Sequence, residues 1–183
     1  MITLRVDAQS ALEGLQILGK EAPVAAARAI NRTTSTVRTA MVRVVATSLK
    51  IKQAYVRDRL STSRATRVNL TAHIAAAAQQ IPLAAFNAKG PEPSRGKGRG
   101  VTANTPQRRY PHAFLATMRS GHRGVFERVG KARLKIRELR TASVAAVFVA
   151  HESVGQARGN EQLTKNLQHE VDHMLRTKVQ RSV

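Results

Sequence analysis

A long amphipathic helix over residues 22 to 50 is the feature that most constrains how this chain folds. At about 100° per residue, a stripe roughly 60° wide collects the small and apolar side chains Ala26, Ile30, Val37, Met41, Val44 and Ser48. A second stripe, centred about 160° away, collects the basic side chains Arg28, Arg32, Arg43 and Lys50. The pattern predicts a helix with one face in the core and a basic outer face.

The basic outer face has two interpretations. It is an ordinary solvated surface, as charged helix faces usually are, or it meets an acidic protein or a phosphate backbone. The 183-residue chain carries 31 Lys and Arg against 11 Asp and Glu, a formal net charge of +20, and 22 of the basic residues are Arg. Because the guanidinium fork suits carboxylates and phosphates, this composition favours the second interpretation.

Composition also bounds the class of protein. The chain is long enough for one domain with a real core, but aromatic residues make up only 3% and Trp is absent. A core built mainly from Ala, Val, Leu and Ile suits a subunit that gains stability from its neighbours. No Cys is present, and no apolar run reaches the roughly 18 residues of a membrane span. Three acidic residues precede the helix, unlike an organelle transit peptide, so we expect a protein made in the cytoplasm.

Alternation and turn residues predict the other elements. Strands are expected over residues 2–6, 65–74, 81–86, 113–118 and 124–129, with an extended piece at 134–139. Helices are expected over 10–20, over 51–60, and onwards from an N-cap at Asn160, whereas 141–153 fits either a strand or a helix. The expected fold is α+β in a single domain over 1–183, with the long N-terminal helix and the C-terminal helix packed on an antiparallel β-sheet.

Residues 88 to 109 are predicted to form a flexible basic arm. Gly and Pro recur through this segment, which has little to contribute to a core. The basic residues of the arm that we expect to face a partner or DNA are Arg95, Lys97, Arg99, Arg108 and Arg109.

Two motifs resemble catalytic or ligand sites without their context. His169, Glu170 and His173 spell the zinc-binding pattern H-E-x-x-H, but no third ligand follows them and both imidazoles lie opposite the apolar face of the predicted helix. The run GPEPSRGKG at 90–98 resembles a phosphate loop, but its spacing is one residue too long and Gly98 replaces the Ser or Thr that would hold magnesium. We therefore expect no metal, no cofactor and no catalytic residue.

Several runs, taken in order, resemble one known family. They are AARAINRTTSTVRTAMVRVVA, IPLAAFNAKG, RGVTAN, AFLATMRSGHRGVFER and LKIRELRTASVA. The most specific are Arg-Ala-Ile-Asn-Arg at 28–32 and Ser-Gly-x-x-Gly-Val-Phe-Glu-Arg at 120–128. Over about residues 10 to 175 the chain resembles the minor tail protein Z family of lambda-like phages and prophages. Members commonly carry Leu-Pro-Ile and then a Gly-Pro-Ser turn, where this chain has Lys135, Thr141 and Ala142, so that turn is expected to differ.

The resemblance implies a structural virion protein that completes the head-proximal end of a phage tail, so that the tail joins a filled head. We expect a sixfold or twelvefold ring around the channel for double-stranded DNA, with other neck, connector and tail proteins as partners. Such a head-to-tail ring needs two complementary patches on each subunit. The basic helix and arm are candidates for one patch, and the C-terminal acids are candidates for the other: Glu152, Glu161, Glu170 and Asp172.

The alternative interpretation is a basic nucleic-acid-binding protein without enzymatic activity. A charge of +20 supports salt-sensitive contact with phosphates. Only two Tyr and four Phe are available for base stacking, however, and no known nucleic-acid-binding motif is present. The structural virion protein is therefore the favoured hypothesis.

Overall fold

Two long helices form the frame of the protein. The computed structural model describes residues 2–7, 19–92, 100–130 and 135–181. Helix α1 spans Ala22–Leu49, one residue short of its predicted end, and a C-terminal helix, Glu152–Arg181, packs along it. Ser48 contacts His151 at one end of the pair, whereas Arg32 contacts His169 towards the other, so the two helices run antiparallel. The predicted α+β class with packed N- and C-terminal helices is confirmed.

Helix α1 buries a wider face than the predicted stripe. Ala26, Ile30, Val37 and Met41 are fully buried, as expected, but Ser48 is exposed and hydrogen-bonds His151 instead. The buried surface continues on both flanks of the stripe through Ala25, Ala29, Val42, Val45 and Leu49. The face is wider because the C-terminal helix packs on one flank while strands and loops pack on the other.

The C-terminal helix begins eight residues before the predicted N-cap. Asn160 lies inside it, and Glu152 is its first residue. Gly155 and Gly159 give this stretch a low helix propensity, because glycine weakens an isolated helix. Both are buried in the structure, and a methyl group added to Gly159 would touch the Val37 side chain of α1. Close packing between the two helices therefore outweighs the low helix propensity of this stretch.

A three-stranded antiparallel sheet covers the N-terminal part of α1. Its strands are β1 (Ile2–Asp7), β2 (Leu60–Ser63) and β3 (Thr71–Ala76), in the order β1-β3-β2. The predicted strand over 2–6 is confirmed, whereas the predicted helix over 51–60 reduces to α2 (Gln53–Arg57) and gives way to β2. The helix predicted over 10–20 lies largely outside the described residues.

The strand predicted over 65–74 is wrong in its first half. The Asn31 side chain takes both backbone groups of Ala65: its Nδ2 donates to the carbonyl and its Oδ1 accepts from the N–H, each at 2.9 Å. Those groups are then not available to a β-ladder. A turn follows, closed by a hydrogen bond from Thr66 N to Asn69 O, and Val68 on it is 90% exposed. Strand β3 therefore starts only at residue 71.

The second half of the chain forms small antiparallel sheets against the C-terminal part of α1. Strand β4 (Gln80–Pro82) passes directly into a 3₁₀ helix (Leu83–Phe86), so the strand predicted over 81–86 is half as long as expected. The hairpin of β7 (Ala113–Thr117) and β8 (Arg123–Arg128) confirms the prediction. Strand β9 (Ile136–Glu138) joins β8, and β10 (Arg140–Ser143) pairs with β4.

The segment that fitted either a strand or a helix contains both. Strand β10 ends at Ser143, whose hydroxyl accepts a hydrogen bond from Ala146 N at 3.1 Å and so caps helix α3 (Val144–Ala150). The C-terminal helix, here named α4, follows after His151. Two periodicities overlap in one short run because the N-cap, Ser143, lies inside it and separates the strand from the helix.

The described parts of the predicted arm are tied to the core. Strand β5 (Val101–Thr102) pairs with β6 (Arg109–Tyr110) on one side and with Lys89 on the other. Val101 is fully buried, and Asn104 N donates to Phe86 O at 2.8 Å. Residues 100–109 are therefore part of the domain, and deleting the whole of 88–109 would remove core contacts.

We expect Gly100→Ala to lower the free energy of unfolding by about 2 to 4 kcal/mol. Gly100 has φ +82, and an added Cβ would collide with the backbone of Tyr110 and Pro111. Gly121→Ala is the matched control, because Gly121 has φ +79 but no atom within 4 Å of the added Cβ. The control should lose only about 1 kcal/mol. Urea unfolding of both variants measures the difference, and equal losses would show that residues 100–110 do not pack on the domain.

Candidate functional site

The predicted basic stripe of α1 divides into two surfaces. Arg28, Arg32, Arg43 and Lys50 are all exposed, as the helical wheel predicted. Arg28 and Arg32 lie towards the start of the helix beside α4, whereas Lys50 ends the helix at the rim of a cleft. Arg43 lies between them and forms no ion pair within the described residues. The stripe is therefore not one uniform face.

Arg32 is held by the chain itself. Its Nη1 donates to His169 Nδ1 at 3.2 Å and lies 3.6 Å from Glu170 Oε1. Glu170 is only 5% exposed, so its carboxylate relies on this cation for charge compensation. Arg32 thus links α1 to α4, and only part of it faces solvent.

The H-E-x-x-H motif forms part of this helix contact. His169, Glu170 and His173 surround a small depression together with Arg28 and Arg32. Two guanidinium groups beside the imidazoles repel a divalent cation, and Glu170 is already paired with one of them. The motif is explained by helix packing.

A large basic cleft lies at the other end of α1. Its volume is about 1270 Å³, and residues from four parts of the chain line it: 48–50, 86–89, 102–109 and 141–147. Among the described residues that line it, none is acidic and four are basic: Lys50, Lys89, Arg108 and Arg109. Leu49, Phe86 and Ala103 form its buried apolar floor. The cleft thus combines positive charge with apolar surface.

Three residues that line this cleft have unusual backbone conformations. Lys50 (φ 54), Asn87 (φ 51) and Arg108 (φ 55) are the non-glycine residues with positive φ in the described part of the chain. That region of φ is sparsely populated by residues with a Cβ, and such strain collects at functional sites. All three occurrences fall in one cleft.

Local hydrogen bonds accompany two of these conformations, those of Lys50 and Arg108. Lys50 N donates to Thr47 O and Ile51 N to Ala46 O, which is the Schellman pattern that ends α1. Arg108 ends a tight turn, in which its N–H donates to Thr105 O at 3.0 Å. The turn is anchored because Thr105 is buried and its Oγ1 lies 2.9 Å from the Tyr110 hydroxyl. The backbone therefore fixes the positions from which the side chains of Lys50 and Arg108 extend.

Several carboxylates are neutralised by cations of the same chain. Glu161 lies between Arg158 and Lys165, at 2.8 and 2.6 Å, and Glu127 pairs with Arg137 at 2.9 Å. Of the four C-terminal acids predicted to form a complementary patch, Glu170 is buried against Arg32 and Glu161 is paired twice. The expected acidic patch is thus reduced to Glu152 and Asp172.

Glu138 is another carboxylate that this chain satisfies internally. It bonds His122 Nε2 at 2.7 Å and pairs with Arg140 at 2.8 Å. Burial tends to raise the pKa of this carboxyl, but the hydrogen bonds from His122 and Arg140 outweigh it, and the net pKa lies below its usual value. Glu138 therefore stays ionised at neutral pH and balances cations near β9 and β10.

The arm residues named from the sequence are only partly described. Arg108 and Arg109 line the cleft, whereas Arg95, Lys97 and Arg99 lie outside the described residues. Lys89 and Asn87 were not among the residues predicted from the sequence. Asn tolerates positive φ, so Asn87 carried a weak signal, but nothing in the sequence marks Lys50 or Arg108 as left-handed.

This arrangement supplies binding chemistry. The described residues contain no cluster of three or more potential ligands suited to a metal ion, and neither long helix within those ranges has the apolar stretch needed to cross a bilayer. The geometry offers a concave surface that combines cations with apolar side chains. The class these features define is a strongly basic α+β protein with a basic cleft.

The particular family follows from comparison with known proteins. The model of the family described as prophage minor tail protein Z (GPZ) matches residues 7–181, and the chain belongs to that family. Members are structural proteins of phage tails and not enzymes, which confirms the resemblance and the absence of an enzymatic role predicted from the sequence. No curated protein and no solved structure matches the chain.

We expect Arg32→Gln to destabilise the protein by about 1 to 2 kcal/mol. The substitution leaves the buried Glu170 carboxylate without its cation, although the half-exposed position of Arg32 moderates the loss. Arg28→Gln removes the same charge from the same depression, where Arg28 has no ion pair among the described residues, and should cost less than about 0.5 kcal/mol. Thermal and urea unfolding compare the two variants.

A second substitution tests whether the uncompensated Glu170 carboxylate causes the loss of stability. Adding Glu170→Gln to the Arg32→Gln variant should restore most of the lost stability, because no buried charge then remains uncompensated. Equal stability of the Arg32→Gln and Arg28→Gln variants would show that the contact between Arg32 and Glu170 contributes nothing to helix packing.

Proposed function

We propose that this protein completes the head-proximal end of a phage tail as a ring around the DNA channel, where it joins the tail to a filled head. The family supports a structural role in the tail. The ring, its sixfold or twelvefold symmetry and its position at the neck of the virion are our proposal. In this role the exposed Arg28 and Arg43 of α1 face neighbouring virion proteins.

The observation that carries the proposal is the way the charges are distributed. Paired carboxylates such as Glu127, Glu138, Glu161 and Glu170 already serve cations of their own chain. Little acidic surface therefore remains on the same molecule to offset the formal net charge of +20. An isolated subunit repels others of its kind, and its natural complement is an acidic protein surface or a polyanion. The neck, where protein rings surround DNA, offers both.

Contacts between copies of this chain require an attractive interaction other than charge alone. The junction of α3 and α4 exposes the apolar side chains Ala146, Val149, Ala150 and Val154. Such a patch can pack against a different face of the next subunit in a head-to-tail ring. With the acidic patch reduced, an apolar contact of this kind suits ring closure better than the basic-to-acidic contact expected from the sequence.

We expect the purified protein at moderate salt to sediment as rings or larger assemblies. Salt at about 0.1 M screens repulsion between charges more than about 10 Å apart, and the apolar patch then associates. Val149→Ser combined with Val154→Ser should shift the distribution towards smaller species without unfolding the domain, because both side chains are exposed. A folded wild-type monomer at tens of micromolar, seen by analytical ultracentrifugation, would contradict self-assembly.

We expect the Arg28→Gln, Arg43→Gln double variant to fold normally but to enter phage particles about tenfold less well than the wild type. The matched control is Arg64→Gln with Arg67→Gln, which removes two charges from exposed residues in the loop before β3. Incorporation is measured by immunoblotting purified particles from cells that supply each variant to a phage lacking its own copy. The number of heads joined to tails, counted by electron microscopy, should fall with the double variant.

The same variants separate the proposal from nucleic-acid binding. If Arg28 and Arg43 follow DNA instead of protein, incorporation stays normal and the log-log salt dependence of DNA binding by the free protein falls by up to roughly two units. That result would replace the proposed protein contact with the alternative. Normal incorporation, infectivity and DNA binding would show that the stripe is an ordinary solvated surface.

A further inference from the structure

We infer that the basic cleft at the C-terminal end of α1 binds an extended acidic segment of another virion protein. This inference rests on the proposed function and adds a partner chemistry to it. The cleft is formed by Lys50, Lys89, Arg108 and Arg109 above a floor that includes Leu49, Phe86 and Val147. It differs from the exposed face of α1 that carries Arg28 and Arg43.

Charge determines the sign of the occupant. No carboxylate lines the cleft, and Lys50, Lys89 and Arg108 form no ion pair or side-chain hydrogen bond within the described part of the chain. Cations that converge on one concavity raise its potential and attract an anion. An anionic occupant therefore compensates charges that the chain itself leaves uncompensated.

The apolar floor indicates that the occupant is a polypeptide. Besides the buried Leu49, Phe86 and Ala103, the lining includes the half-buried Ala88 and Val147 and the exposed Ala142, so apolar atoms are accessible in the cleft. A DNA backbone offers phosphate oxygens and sugars, whose binding relies on cations and does not need such a floor. An acidic peptide with interspersed apolar side chains satisfies both the rim and the floor.

Size and backbone also suit an extended segment. At about 1270 Å³ the cleft exceeds the usual range of roughly 300 to 1000 Å³ for small-molecule sites. Thr141 and Ala142 of β10 line it, and among the described strands β10 is paired only with β4. A strand with one open edge can accept main-chain hydrogen bonds from an added extended peptide. The cleft thus has the side-chain and main-chain features of such a site.

Backbone strain marks the same cleft. Lys50, Asn87 and Arg108 each keep a positive φ that glycine would adopt at lower cost. Two of these three residues are cations of the rim. Retaining a charged side chain on a strained backbone is expected where that side chain contacts a partner.

The test is peptide binding by the purified full-length protein. The probe is a fluorescein-labelled ten-residue peptide of alternating Glu and Leu, with a Lys and Leu peptide as the charge-reversed control. We expect the acidic peptide to bind and the basic peptide not to bind. Ala142→Trp should weaken binding at least tenfold, because Ala142 is an exposed lining residue and the indole would occupy part of the cleft beside β10 with no change of net charge. Lys89→Gln with Arg108→Gln should weaken binding by a similar factor.

Control variants distinguish a site from general attraction between opposite charges. The Arg64→Gln, Arg67→Gln variant loses the same charge outside the cleft and should bind the acidic peptide within about twofold of the wild type. Circular dichroism melting curves confirm that each variant is folded. Equal loss of binding in this control, or undiminished binding by both folded cleft variants, would overturn the inference.

Two further outcomes separate this inference from its rivals. A 20-base-pair DNA that competes with the peptide, and whose own binding is weakened by Ala142→Trp, would identify the cleft as a nucleic-acid site and overturn the inference. Particle incorporation tests the proposed function independently. If the Arg28 and Arg43 variant fails to enter particles while the acidic peptide does not bind, the tail role stands and only the cleft inference fails.

Discussion

The antiparallel contact between α1 and α4 is the constraint on which the rest of the structure depends. It joins the two ends of the chain through small residues, as at Val37 and Gly159, and through polar contacts such as Asn166 Nδ2 to Thr33 Oγ1 at 2.9 Å. The small sheets pack around this helix pair, and none of them has more than three strands. Because single small sheets are marginal alone, the helix pair provides the surface on which they become stable.

The same contact sorts the basic residues by role. Arg32 lies beside α4, so it compensates the buried carboxylate of Glu170. Arg43 is exposed and pairs with no carboxylate of the described residues. Two arginines on one helical stripe thus have different surroundings. A helical wheel shows that side chains share a face but does not show which neighbouring element covers part of that face.

The sequence predicted the elements whose signals are local and strong. The periodicity of α1 and the alternation across the β7–β8 hairpin were sufficient to place them. It did not predict the start of α4, where the buried Gly159 packs on Val37 of α1, or the loop at Ala65, whose backbone bonds the distant Asn31. The cleft could not be predicted from the sequence because its lining comes from four separated segments of the chain. A sheet edge, a helix end and two turns must come together to form it.

The strained residues of the cleft have a consequence for how this family changes over time. Replacing Lys50, Asn87 or Arg108 by glycine would relax the backbone at each position and add stability to the domain. Nothing in the fold itself opposes those replacements, since Lys50 and Arg108 point their charge away from the core. On the inference that the cleft binds an acidic segment, the charges of Lys50 and Arg108 are what these positions gain by not being glycine. Relatives that carry glycine at these positions would then bind such a segment less tightly.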